Sequence, residues 1–147
     1  MNILHRVFIF LIKSVHLIYN FLGMHDIETK QDLEILLSKF YTKLFSDETI
    51  SYIFTDVAKI NLETHLPKII DFWNLSLFGK GDYSNNVMKI HLDLNQEEKL
   101  NEKHFKTWLN TFNLTVDESF SGKNSEIIKT KALSIATVMQ IKMHKLS

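Results

Sequence analysis

Between Thr29 and Leu44 the apolar positions fall at helical spacing, with Leu33, Leu36, Leu37, Phe40, Tyr41 and Leu44 at i, i+3, i+4, i+7, i+8 and i+11. Thr29 and Asp32 frame the start of that run as a capping box, which predicts where the helix opens. Ser46, Asp47 and Glu48 then offer a cap for a short turn carrying Ile50, Tyr52, Ile53 and Phe54. A further helix is predicted to carry Ile69, Phe72 and Trp73. Because proline is tolerated in the first turn, its start is expected no earlier than about Glu63, ahead of Pro67, and its end at Gly79-Lys80-Gly81. The apolar patch Val87 to Leu92 is too short to hold a helix alone, and a polar linker is expected from Asp93. Phe105, Trp108, Leu109 and Phe112 repeat the i, i+3, i+4, i+7 stripe, and Ile128, Ala132, Ile135 and Met139 mark a last helix from about Ser125. Four long amphipathic helices and two short pieces pack most simply as helix on helix around one core, an all-α fold.

The first twenty-three residues break this pattern. Met1 to Gly23 is apolar almost throughout, with Arg6 and Lys13 as its full charges. A membrane-spanning helix needs about 20 mostly apolar residues, and Lys13 would sit near mid-span at a cost of about 2.5 to 3.5 kcal/mol. A secretory signal would need a small-residue cleavage site, which Tyr19 to Gly23 does not supply. Two other accounts are favoured over true spanning, a start of the native protein at Met24 or a peripheral amphipathic helix, and membrane contact through residues 1–23 is not the favoured expectation. Residues 1–23 are therefore set apart from a domain over 24–147, and the expected location is cytoplasmic.

Composition narrows the chemistry. A length of 147 residues with 45% apolar content suits one compact domain. Seventeen basic against seventeen acidic residues gives no electrostatic case for nucleic acid. The absence of cysteine removes disulfides, thiolate-ligated haem and iron–sulfur clusters together, leaving histidine, carboxylate or a cofactor's own nitrogens for any metal.

The fragments HLPKIIDFW (65 to 73), HLDL (91 to 94) and HFKTWL (104 to 109) concentrate imidazoles, indoles and phenyl rings, the material of a buried haem pocket. A buried, neutral imidazole suits iron, and His91 stands four residues after Val87, whose carbonyl could hold the other ring N–H if that stretch is helical. Tyr41 shares a face with Leu37 and Leu44, so its ring is expected inside with its hydroxyl seeking a partner; the Trp108 indole N–H faces the same demand. Taken singly, each has an ordinary explanation as a core aromatic or a surface histidine, and none identifies a site.

In order, they match a family. From about Leu33 to Met143 the chain resembles the truncated haemoglobins of group III, on FYTKLF at 40 to 45, YIF at 52 to 54, HLPKIIDFW at 65 to 73, LFGKGDY at 77 to 83, HLDL at 91 to 94 and FKTWL at 105 to 109. The resemblance implies a two-over-two helical sandwich around haem b. It implies His91 as the proximal iron ligand and Tyr41, His65 and Trp108 facing the bound ligand. It also implies a pocket lined by Phe40, Phe54, Ile69, Phe72 and Trp73. The function so implied is binding of dioxygen and other diatomic ligands such as nitric oxide. The alternative is a redox enzyme, a nitric oxide dioxygenase or peroxidase-like activity, served by an unidentified reductase. From a different class, a haem-free helical interaction domain docking through residues 1–23 stays open.

Overall fold

The computed structural model describes residues 2–145. Six α-helices follow one another, α1 (Ile3–Gly23), α2 (Lys30–Ser46), α3 (Leu62–Phe78), α4 (Val87–Glu97), α5 (Glu102–Ser119) and α6 (Lys123–Lys145), and there is no strand among the described residues. A π turn at Ile53–Val57 links α2 to α3. Helix α2 packs on α3 and α5, α5 on α6, and α6 in turn on α3 and α4. The long helices thus form two layers of two, α2 with α3 against α5 with α6.

The local signals explain where most elements begin. The Thr29 hydroxyl accepts the Asp32 N–H at 3.1 Å while the Asp32 carboxylate accepts the Thr29 N–H at 3.0 Å, the reciprocal capping box read in the sequence. All six stripe residues of α2 are buried, Leu33, Leu36, Leu37 and Leu44 completely. Gly79 closes α3 in the left-handed conformation with φ 65°, where a β-carbon would be strained. The aromatic core is a stack: Phe112 lies between Trp73 at 5.3 Å and Trp108 at 5.6 Å, with Phe40 edge-on to Phe112 at 5.1 Å.

Two expectations need correction. Helix α3 starts at Leu62, capped by the Asn61 side chain, which puts Pro67 in the second turn and not the first. The carbonyl that loses its donor there belongs to Glu63, and both Glu63 and Pro67 are exposed, so water can satisfy it. The Val87 patch also does not stop at Leu92. It runs through the expected linker to Glu97, because Asn86 caps the first turn through the Lys89 N–H and Lys89 pairs with Asp93 at 2.6 Å one turn on. Packing against α6 supplies what propensity alone does not.

The entry to the domain is tied down by Asp26. Its carboxylate accepts the N–H groups of Asn124 and Ser125, both at 2.8 Å, the Ser125 hydroxyl at 2.7 Å and its own neighbour Ile27 N–H at 2.8 Å. It thereby caps α6 from almost a hundred residues away. Gly122 is required beside it, since a β-carbon there would lie 2.4 Å from the carboxyl carbon. Burial pushes the Asp26 carboxyl up, but these hydrogen bonds hold it net below its ordinary value of 3.8. A depressed folded pKa gives stability that is present above the unfolded pKa and is lost as pH falls through the folded one. Asp26→Ala is therefore expected to cost about 2 kcal/mol at neutral pH, a fall in Tm of about 4 to 8 °C, with the gap to the wild type closing below about pH 4. Thermal melts at both pH values measure it; a constant gap would contradict the assignment.

Helix α1 stands apart. Among the described residues it makes none of the principal helix contacts, and Ile3, Leu4, Val7, Phe8, Phe10, Leu11 and Ile12 are all exposed. Among the described residues no helix is long and apolar enough to cross a membrane.

Candidate functional site

An apolar cavity of about 450 Å³ opens between α3 and α4, with α2, α5, α6 and the π turn as its walls. Every residue singled out in the sequence as a site candidate lines it: Tyr41 and Phe40 from α2, Phe54 from the π turn, His65, Ile69, Phe72 and Trp73 from α3, His91 from α4 and Trp108 from α5. The volume is that of a small-molecule site, and the few polar tips sit on apolar walls.

His91 is held by its own helix. Its Nδ1–H donates to the Val87 carbonyl at 2.8 Å, the bond expected from the four-residue spacing. With Nδ1 carrying the proton, Nε2 is left with a lone pair and no hydrogen-bond partner among the described residues. Burial lowers the imidazole pKa, against the opposing pull of the Val87 carbonyl, so the ring is neutral at physiological pH. Among the described residues no group of three or more His, Cys, Asp or Glu side chains is placed to hold a bare metal ion.

Opposing polar groups come from α2 and α3. The Tyr41 hydroxyl lies 3.4 Å from His65 Nε2, the rings crossing edge-on at 5.5 Å. Burial, with a smaller contribution from Tyr83, pushes the Tyr41 pKa far up, so the phenol keeps its proton. Desolvation first, then the charge of Lys68 and the repulsion that a protonated His91 would exert, lowers the His65 pKa, and this ring too is neutral. His65 occupies the first turn of α3, close to its mouth. Trp108 is half-buried, and its indole N–H has no hydrogen-bond partner among the described residues. Phe40 sits edge-on to both Tyr41, at 5.2 Å, and Trp108, at 5.7 Å, and spaces the two.

Several wall residues escaped the sequence reading. Ile135, Ala136 and Met139 of α6 close one side of the cavity, yet in the sequence they look like any core stripe. His104 also lines it: its Nδ1 accepts the Asn101 N–H at 3.1 Å, which leaves Nε2–H to donate to the Tyr52 hydroxyl at 3.0 Å. The Asn-x-x-His spacing at 101 to 104 is the signal that could have marked it as a capping box. The π turn was likewise unforeseen. Ala58 N–H bonds to the Ile53 carbonyl at 2.8 Å, and Lys59, at φ 49°, turns the chain back so that Phe54 stacks on Phe45 at 5.7 Å and faces the cavity.

No family model matches the chain. A group 3 truncated haemoglobin of Campylobacter jejuni is 28% identical over 119 residues, covering 79% of this chain and 91% of that protein. The crystal structure of a group III truncated haemoglobin from Campylobacter jejuni superposes with a TM-score of 0.74 at 24% identity, over 84% of this chain and 98% of that one. The chain thus has the fold of a truncated haemoglobin and resembles the group III truncated haemoglobins in sequence over most of its length.

Proposed function

We propose that the chain is a haem protein in which His91 holds the iron of a haem b and Tyr41, Trp108 and His65 face a bound diatomic ligand, dioxygen or nitric oxide. The observation that carries this proposal is the His91 Nδ1–H bond to the Val87 carbonyl, which leaves one imidazole lone pair in an apolar cavity. A single protein donor without a carboxylate cluster fits an iron whose remaining donors are the nitrogens of a macrocycle. Phe40, Phe54, Ile69, Phe72 and Trp73 supply apolar surface against such a flat group. When bound, haem supplies a redox-active iron that holds a diatomic molecule and shifts negative charge onto it.

The side chains opposite His91 determine how long that charge is held. The Tyr41 hydroxyl stays protonated and can donate. If His65 carries its proton on Nε2, it donates to the Tyr41 oxygen and turns the Tyr41 proton toward the cavity; the other tautomer accepts that proton and competes with the ligand. The free Trp108 N–H is the second donor. Reduced, haem-loaded protein is expected to change its absorption spectrum reversibly on adding and removing dioxygen; an unresponsive spectrum would contradict the proposal.

The Tyr41 and His65 pair also favours a second reading, redox turnover on nitric oxide or a peroxide, because two adjacent neutral groups can hydrogen-bond to a reacting oxygen and polarise it. A reductase partner and a cytoplasmic location belong to this proposal. Sustained consumption of nitric oxide with a chemical reductant distinguishes turnover from binding, and a single stoichiometric reaction counts against it.

A further inference from the structure

We propose that α1 (Ile3–Gly23) is a peripheral anchor that lies flat on an anionic lipid surface, its apolar side in the acyl boundary and Arg6 and Lys13 among the headgroups. Ile3 at 79% and Phe10 at 71% exposure are not surface accidents, because five further large apolar side chains of the same helix are exposed with them. A continuous apolar surface of this kind marks an interaction site. Among the described residues none of the principal helix contacts of the domain covers it.

Charge selects the occupant. The segment Met1 to Gly23 holds two of the seventeen basic residues and none of the seventeen acidic ones. Arg6 and Lys13 are seven residues apart, two turns, and so share one side of the helix, flanked by Ile9 and Phe10. Leu4, Phe8 and Leu11, at i, i+4 and i+7, stand opposite, and all three are exposed. A basic stripe against a broad apolar side is the arrangement of helices that lie in the membrane interface and are attracted by anionic lipid. With 21 residues, α1 is about 31 Å long, and spanning would carry Lys13, halfway along it, to the bilayer centre, where a charge is costly, which favours lying along the surface.

The join to the domain transmits the docking. The His25 carbonyl accepts the Ser121 N–H at 3.1 Å, the His25 ring packs edge-on to Phe120 at 5.4 Å, and Asp26 caps α6. Met24 is thus the short link between a lipid-bound α1 and the domain, which would be held close to the membrane.

The test is co-sedimentation of the full chain with vesicles of phosphatidylglycerol mixed with phosphatidylcholine. Binding to these vesicles, weaker binding to phosphatidylcholine alone and release by salt are expected. Arg6→Gln with Lys13→Gln should weaken binding about tenfold to thirtyfold, since each basic residue near an anionic surface adds a factor of about five and the two multiply. Leu4→Asp with Leu11→Asp should abolish it while circular dichroism of the domain is unchanged. Three outcomes would overturn the proposal: no vesicle binding; binding that survives alkaline carbonate extraction, the mark of a spanning helix; or a solution dimer that Leu4→Asp with Leu11→Asp dissociates without any vesicle binding, which would make a second copy the occupant.

Discussion

Replacing Tyr41 and Trp108 together by Phe is expected to speed dioxygen release from the haem-loaded chain about a hundredfold to ten-thousandfold. In the proposed reading each side chain would offer a hydrogen bond to a ligand carrying negative charge, worth about 1.5 to 3 kcal/mol, and both would act in the bound state. Tyr41 can do so because burial keeps its hydroxyl protonated, and Trp108 because its N–H has no other partner among the described residues. The singles should divide unevenly. Tyr41→Phe also frees His65 Nε2, which lies 3.4 Å from the lost hydroxyl and can replace part of the bond, so its effect should exceed tenfold only when His65 is changed as well. Stopped-flow displacement of dioxygen by carbon monoxide measures the rates. Unchanged release in the double variant would show that neither group faces the ligand.

His91→Ala should weaken haem retention by more than a hundredfold, since loss even of an outer hydrogen-bond partner to a ligating histidine costs about 10- to 100-fold. The fold should survive. Val87 and His91 lie on one face of α4, whose start is fixed by Asn86 and whose packing rests on α6, so circular dichroism should match the wild type. Free imidazole is the control: the truncated side chain leaves room beside the Val87 carbonyl, and added imidazole should restore the spectrum of a histidine-ligated haem. Retention at wild-type strength, with an unchanged spectrum, would place the ligand elsewhere; His65 and His104, which also line the cavity, are then the side chains to replace.

What was legible in the sequence follows the range of the physics that acts on it. Helix α2 could be read almost to the residue because its signals are local: Thr29 and Asp32 cap it, and the six stripe residues bury themselves whatever they pack against. Gly79 marked the end of α3 for the same reason, a left-handed backbone that glycine adopts without strain. Helix α4 was read too short because its last turn depends on packing against α6 and on the Lys89 to Asp93 pair, neither of which shows in apolar periodicity. Pro67 misled for a related reason, since its tolerance in the second turn depends on which carbonyl faces water.

The site divides along the same line. The His91 bond to Val87 could be foreseen from a spacing of four. The gathering of Tyr41, His65, His91 and Trp108 around one cavity came to the sequence reading through the resemblance, because they stand on four helices and no spacing relates them. The cavity wall formed by Ile135, Ala136 and Met139 is indistinguishable in sequence from the core stripe of α6. Asp26 is the plainest long-range case: nothing near it in the chain announces that it caps a helix starting at Lys123.

The full chain is expected to hold one haem through His91, and an absorption titration with haemin tests this most directly. The predicted result is saturation at one haem per chain, with a sharpened band that dithionite shifts to that of a ferrous, histidine-ligated haem. A titration without an end point, or a spectrum no different from haemin in buffer, would contradict it.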